Sequence, residues 1–266
     1  MDDQPKTNSL DILGIRPVAE AVNKSTSALI DGAAAVLSRI CLPAAEELGL
    51  GLKDRVSHWR AQQLALLSER VAVKLSSQQV PAEHHAHPRL VHTVIENGSW
   101  NDGDTIQDMW AGILVSGCSE DGAEDSNIMF AKILEPFTNL QAKLFNAVCE
   151  RCRMRLDETT ELVTADYQYP DCPRGLEMSF EQLCEITGVS DLYRLDRELD
   201  HLRAIGILDT ASGFRLGSKL VAGVSPSPLG IQLYVRCQGF RGSPVKFFKL
   251  EAQKATASTN TPPSAS

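Results

Sequence analysis

Residues 102–117 read DGDTIQDMWAGILVSG and carry the strongest helical pattern in the chain. Apolar residues recur there at i, i+3, i+4, i+7 and i+8, a spacing that places them on one face of an α-helix. We expect this face to lie at the centre of a helical core, together with a tryptophan from an earlier helical segment. The predicted core comprises Trp59, Ile106, Met109, Trp110, Ile113 and Leu114.

Both ends of this helix carry signals of their own. Asp104 stands three positions before Gln107, which is the spacing of a capping box that satisfies free backbone N–H groups. Gly117 follows the last apolar residue, where a left-handed C-terminal cap favours a residue without Cβ. The sequence therefore predicts where the helix begins and where it ends.

The composition is typical of a soluble globular protein. Of the 266 residues, 43% are hydrophobic and 23% are charged, and no apolar run is long enough to span a membrane. The net charge of −8 argues against a general affinity for nucleic acid or anionic lipid. The seven cysteines follow a polar N-terminus without a secretory signal, so we expect free thiols in the cytoplasm.

Helical periodicity dominates the chain, so the expected fold class is mainly α. A polar stretch with tyrosines and prolines separates two helical regions, and both chain ends are polar. The predicted organisation is a flexible tail at residues 1–9, a multi-helix N-terminal domain at 10–156, a linker at 157–175, a winged-helix-like C-terminal domain at 176–250 and a disordered tail at 251–266.

The Ala-rich stretch 30–52 has two interpretations. A helix in the protein core is favoured. Contact with a membrane is the alternative, and Asp31, Arg39 and Glu46 would make a spanning position costly. Such a contact would therefore be peripheral, at the inner membrane.

The winged-helix prediction rests on the order of elements after residue 176. SFEQLCEITGV (179–189) predicts a helix with Ser179 at its N-cap, and SDLYRLDRELDHLRAIGIL (190–208) predicts a second helix. Short β candidates follow near Ile207–Leu208 and Phe214–Leu216, and another helix starts near Pro228. Two helices joined by a short turn and followed by a small hairpin are typical of a winged helix.

The second of these helices carries a candidate interaction surface. Its exposed basic positions are Arg194, Arg197, His201 and Arg203. Such side chains reach base edges and phosphates in DNA-binding helices. Here they alternate with carboxylates, at Asp191, Asp196, Glu198 and Asp200. Because this balance offers little counterion release, we favour contact with protein, and DNA binding stays open as the alternative.

No catalytic signature emerges, so we predict no catalytic residue, no metal site and no bound cofactor. Asp102, Asp104 and Asp108 form the one carboxylate cluster that could hold a metal ion in a nuclease, although helix capping explains Asp104 without chemistry. Cys149 and Cys152 form a single C-x-x-C pair without the second pair that a zinc site needs.

Three segments together resemble the abortive-infection alpha family of helical bacterial proteins. DRVSHWRAQQL (54–64) is similar to the family's D-R-V-x-x-W/L-R helix, and NGSWNDGDTIQDMWAGILVSG (97–117) resembles its L-Q-D-L-W-A-N-L-L motif. FAKILEPFTNLQAKLFNAV (130–148) is similar to its I-L-x-x-L-S-x-x-D-A-K-L-L segment. Gly112 stands where the family usually has Asn, and Gln141 where it usually has Asp.

The resemblance implies a role in defence against phage and implies no reaction, because no active site is established for the family. The leading hypothesis is a cytoplasmic, non-enzymatic defence protein that acts through protein or membrane contacts, with protein partners or self-association. The alternative is a winged-helix transcription regulator that binds DNA. An enzyme is the third hypothesis, and it would depend on the carboxylate cluster.

Overall fold

The computed structural model describes residues 58–158, 176–215, 220–248 and 250, and these are mainly helical. The chain divides into two compact units. The first comprises Met1–Asn139 with Arg236–Phe240, and the second comprises Leu140–Val235 with Arg241–Ser266. The predicted tails 1–9 and 251–266, the stretch 30–52 and most of the predicted linker lie outside the described residues.

The first unit is built from four helices in its described part. They are α1 (His58–Ser77), α2 (Pro88–Gly98), α3 (Asp104–Ser116) and α4 (Asn127–Leu134). A small antiparallel ladder joins β1 (His85–Ala86) to β2 (Cys118–Ser119), with Ala86 opposite Cys118. Helix α3 packs against α1, α2 and α4, so it occupies the centre of this unit.

Helix α3 is buried on more than one face. The five predicted core residues of this helix are all buried, and Trp110 and Ile113 are fully inaccessible. Gln107, Ala111, Gly112, Val115 and Ser116 are buried as well. Helix α3 is therefore a central element of the unit, and the predicted apolar stripe accounts for only part of its buried surface.

Trp59 does not belong to the core, although we expected it there. Its side chain is 38% exposed, and its ring lies 6.1 Å from the ring of Trp100. The next residue, Arg60, points inward instead and is 2% exposed. The guanidinium group can be buried because it donates hydrogen bonds to the Ser99 hydroxyl and the Glu96 carboxylate.

The predicted caps of α3 are wrong in their mechanism. The N-cap is Gly103, without a side-chain hydrogen bond, and Asp104 instead pairs with Arg70 of α1. Gln107 is buried and donates to the Gln63 side chain at 2.8 Å. Gly117 is the C-cap, but its φ of −91° is right-handed. A Cβ there would overlap the end of the Leu90 side chain, so a larger residue would require that side chain to shift.

The second unit contains helices and a three-stranded sheet. Its elements are α5 (Asn139–Glu158, from Leu140 onward), β3 (Glu177–Ser179), α6 (Phe180–Thr187), α7 (Leu192–Ala204), β4 (Gly213–Arg215), β5 (Val221–Gly223) and α8 (Pro228–Cys237, up to Val235). The sheet is antiparallel in the order β3-β5-β4, with Ala222 opposite both Met178 and Phe214.

Local signals account for the helices of this unit better than for its strands. Ser179 and Gln182 form a capping box at the start of α6, in agreement with the predicted N-cap at Ser179. Strands β3 and β5 were not predicted, and Leu208 forms only an isolated bridge, with Pro226. Strands of three residues carry too little alternation for a sequence pattern to reveal them.

The backbone of Cys237 approaches α3 so closely that Gly112 can carry no side chain. A Cβ on Gly112 would overlap the carbonyl group of Cys237, and backbone atoms cannot turn aside as a side chain can. Both residues belong to the first unit. Where the family usually has Asn, this chain therefore needs Gly.

Replacing Gly112 with Ala should lower the free energy of unfolding by about 3 kcal/mol or more, because the methyl group would force the Cys237 backbone away. Urea denaturation followed by circular dichroism measures the change. Gly98→Ala is the matched control, since its Cβ would lie 2.8 Å from the mobile end of the Leu67 side chain. We expect Gly98→Ala to cost about 1 kcal/mol or less. Equal losses for both variants would contradict the close approach.

Candidate interaction surface

Helix α7 presents two of the four predicted surface residues to solvent. Arg194 and Arg197 are exposed, the Arg197 side chain to 72%. Tyr193 lies beside them and is 85% exposed, although sequence reasoning did not single it out. Its position next to Leu192, outside the apolar stripe of Leu195, Leu199 and Leu202, was the available signal. We call Tyr193, Arg194 and Arg197 the α7 surface.

His201 is not available as an independent contact residue, because α5 holds it. The Gln141 side-chain nitrogen lies 2.9 Å from His201 Nδ1 and donates to Glu198 Oε2 at 2.8 Å. Gln141 is 3% exposed and Glu198 is 8% exposed. The Nδ1 atom of His201 is therefore engaged by α5.

Arg203 also has internal partners. Its guanidinium group pairs with Asp200 at 2.6 Å and donates to the backbone carbonyl of Ser212 at 3.2 Å. These contacts connect the end of α7 to the residues just before β4. The structure thus brings Arg194 and Arg197 together at one surface and directs His201 and Arg203 to internal contacts.

Most carboxylates that dilute the basic charge of α7 have internal partners as well. Asp191 is the N-cap of α7 and accepts a hydrogen bond from the Arg194 backbone N–H at 3.2 Å. Glu198 is buried against Gln141, and Asp200 pairs with Arg203. Arg197 also lies 3.8 Å from a Glu198 carboxylate oxygen, so Arg194 and Arg197 remain exposed on a helix whose carboxylates keep their charge.

The carboxylate cluster at the start of α3 is divided among three different partners. Asp102 accepts a hydrogen bond from Asn139 at 3.1 Å, Asp104 pairs with Arg70, and Asp108 pairs with Lys74 at 2.9 Å. Across the residues that the structure describes, no group of three or more His, Cys, Asp or Glu side chains converges as metal ligands would. This geometry uses the three carboxylates to join helices.

Four of the five described cysteines are buried, namely Cys118, Cys149, Cys152 and Cys237. Cys149 and Cys152 are both buried within α5, and no disulfide forms among the cysteines of the described ranges. Burial raises the pKa of the Cys237 thiol far above its usual value; nearby Lys74 lowers it by a smaller amount, and Asp108 raises it further. A thiol with such a pKa stays protonated near neutral pH and is a poor nucleophile.

One comparison with known proteins identifies a family. The family model described as abortive infection alpha matches residues 60–220, which is more than half of the chain. No curated protein and no solved structure matches the chain. In the described part of the chain, no helix is both long and apolar enough to cross a membrane.

The matched region includes the position of Gln141, where the family usually has Asp. Here the amide serves two neighbours at once, because it donates to the Glu198 carboxylate and lies within hydrogen-bonding distance of His201. A carboxylate at this position would face buried Glu198 with a like charge. At this position an amide can donate a hydrogen bond to Glu198 of α7, whereas an aspartate could not.

Replacing Gln141 with Leu should lower the free energy of unfolding by about 2 kcal/mol, because Glu198 would remain buried without its hydrogen-bond donor. Chemical denaturation of the purified protein tests this expectation. Lys143→Leu is the control on the same helix, and it should change stability by no more than about 0.5 kcal/mol because Lys143 is exposed. A Gln141→Leu protein as stable as the control would show that the α5–α7 contact is unimportant.

Proposed function

Because this chain belongs to the abortive infection alpha family, we propose that it is a phage-defence protein that acts by binding a protein partner rather than by catalysis. The family supports the defence role, and the exposure of the α7 surface is the observation that supports binding. Membrane contact through residues 30–52 stays a prediction, since that stretch lies outside the described residues.

The chemistry of the α7 surface fits a protein interface. Tyr and Arg are enriched among the residues that dominate binding energy, because each combines a large contact area with specific hydrogen bonds. Arg197 follows Tyr193 by four residues and Arg194 by three, so the three side chains are neighbours on the helix. Their positive charge favours a partner with an acidic surface.

Three observations support a non-catalytic role. The carboxylates near α3 are each engaged by a separate partner, and the Cys237 thiol is held in its protonated form. The basic side chains that could stabilise a transition state on α7 face solvent rather than a cleft. Solvent-exposed charges contribute little to transition-state stabilisation, because water screens them.

DNA binding by a winged helix is the second candidate. The order β3–α6–α7–β4–β5, with β5 between β3 and β4, supports a winged-helix-like arrangement in which α7 takes the place of the recognition helix. In such domains the N-terminal part of this helix contacts base edges. Tyr193, Arg194 and Arg197 occupy that part of α7, whereas the net charge of −8 weakens attraction to phosphate.

Cells that carry the gene should survive phage infection at a low phage-to-cell ratio and collapse at a high ratio, as abortive infection requires.

Arg194→Glu/Arg197→Gln should abolish protection while leaving the folded protein at normal abundance, because the α7 surface would repel an acidic partner and no carboxylate is placed beside buried Glu198. Plaque counts and culture density are the measurements. Arg89→Glu is the matched control, since Arg89 is an exposed arginine on α2. Protection retained by the double variant would overturn the role of the α7 surface.

DNA binding is tested with fluorescence anisotropy on the duplex upstream of the gene, between about 50 and 200 mM salt. If the protein acts through a protein partner, we expect the wild-type chain and Arg194→Glu/Arg197→Gln to show the same weak, sequence-independent binding. Specific binding at low salt that disappears in the double variant would favour the transcription regulator and replace our first proposal.

A further inference from the structure

Helices α5 and α8 each begin in one compact unit and end in the other. Asn139 opens α5 in the first unit, and the rest of that helix belongs to the second. Helix α8 leaves the second unit after Val235, and the chain contributes Arg236–Phe240 to the first unit before it returns. We call Arg236–Phe240 the return segment. The first unit is therefore completed by residues that lie beyond 140–235 in the sequence.

The return segment is built into the core of the first unit. Cys237 is 1% exposed, and its carbonyl group occupies the space that a side chain on Gly112 would need. The Gln78 side-chain nitrogen donates to the carbonyl oxygen of Gln238 at 3.3 Å. Gly239 has a φ of +83°, a left-handed conformation that favours glycine. Removal of the return segment would therefore expose part of α3 to water.

The part of α8 in the second unit is held just as closely. Gly230 approaches the backbone carbonyl of Ile207, where a Cβ would overlap the oxygen. Tyr234 is 2% exposed, and its hydroxyl donates to the Glu150 carboxylate of α5. Helix α8 is thus fixed within the second unit and continues without a break into the return segment.

The start of α5 has an anchor in each unit. In the first unit, the Asn139 side-chain nitrogen donates to Asp102 at 3.1 Å, and the Asn139 side chain fills the space beside Gly103. In the second unit, Gln141 is 3% exposed and donates to Glu198. The two anchors stand two residues apart on one helix. Unfolding of either unit therefore removes an anchor from the first turn of α5.

We propose that the two units unfold in one cooperative transition, because each contains the ends of helices on which the other depends. A folded second unit holds the chain on both sides of residues 140–235. If that unit unfolds, the same residues become a flexible loop, and closing such a loop costs conformational entropy that grows with its length. The first unit would then hold its return segment far more weakly.

The dependence is mutual. Unfolding of the first unit leaves the last turn of α8 and the first turn of α5 without their partners in that unit. A substitution in the core of α3 therefore lowers the amount of folded α7, although α7 belongs to the other unit. Units that depend only on themselves unfold in separate transitions instead.

Pulse labelling of buried thiols in the full-length protein follows both units at once. Cys118 and Cys237 belong to the first unit, Cys149 and Cys152 belong to the second, and all four are 1% or 2% exposed. A short pulse of N-ethylmaleimide at each urea concentration, followed by peptide mass spectrometry, gives the unfolded fraction at each thiol. We expect all four thiols to become reactive at the same urea concentration. Separate midpoints for the two pairs would overturn the proposal.

Two variants distinguish coupled transitions from coincident ones. Gln141→Leu in the second unit should lower the midpoint at Cys118 as much as the midpoint at Cys149, by about 0.5–1 M urea. Ile113→Val in α3 should also lower both midpoints equally, by a smaller amount. Lys143→Leu is the matched control, and it should leave the midpoints unchanged because Lys143 is exposed.

A fall at Cys149 alone in Gln141→Leu, or at Cys118 alone in Ile113→Val, would show that the units unfold independently. The proposal does not use the α7 surface as a binding site, so its failure would leave the proposed function standing.

Discussion

The burial of α3 among three other helices is the constraint on which the first unit depends. A helix buried on most sides needs partners for most of its polar groups, because unpaired polar groups are costly away from water. Among the described residues, Trp110 Nε1 is the buried side-chain atom that lacks one. Gln107 meets this requirement by donating to Gln63 and to the backbone of Asn101, and Asp108 meets it through Lys74. The polar residues of α3 therefore determine its contacts with α1 as much as the apolar ones do.

Periodicity predicts the apolar centre of α3 well, because helical spacing is a local property of the sequence. It could not predict the caps, because the partners of Asp104 and Gln107 lie on α1, more than thirty residues earlier. Trp59 shows the same limit. Its apolar character indicated the core, yet the neighbouring Arg60 is the one that is buried, since Ser99 and Glu96 happen to satisfy it.

On α7 the sequence predicts which residues are basic, but it does not predict which of them are free to contact a partner. The basic residues are evident in the sequence, but Gln141 engages His201 and Ser212 engages Arg203, and both contacts are set by the fold. Two carboxylates of the same helix have cationic partners, Asp200 with Arg203 and Glu198 with Arg197. The charge that α7 presents to a partner thus depends on which side chains already pair within the chain, and only the three-dimensional structure shows those pairs.

The close approach of Cys237 to Gly112 has a consequence for the evolution of the family. Residue 237 lies beyond the matched region, which ends at residue 220, whereas residue 112 lies inside it. A relative with Asn at the equivalent of residue 112 has no room for this backbone contact, so its C-terminal segment must follow a different course. Glycine at this position therefore indicates that the backbone contact can form. In any one chain, a side chain at this position and the same backbone contact exclude each other.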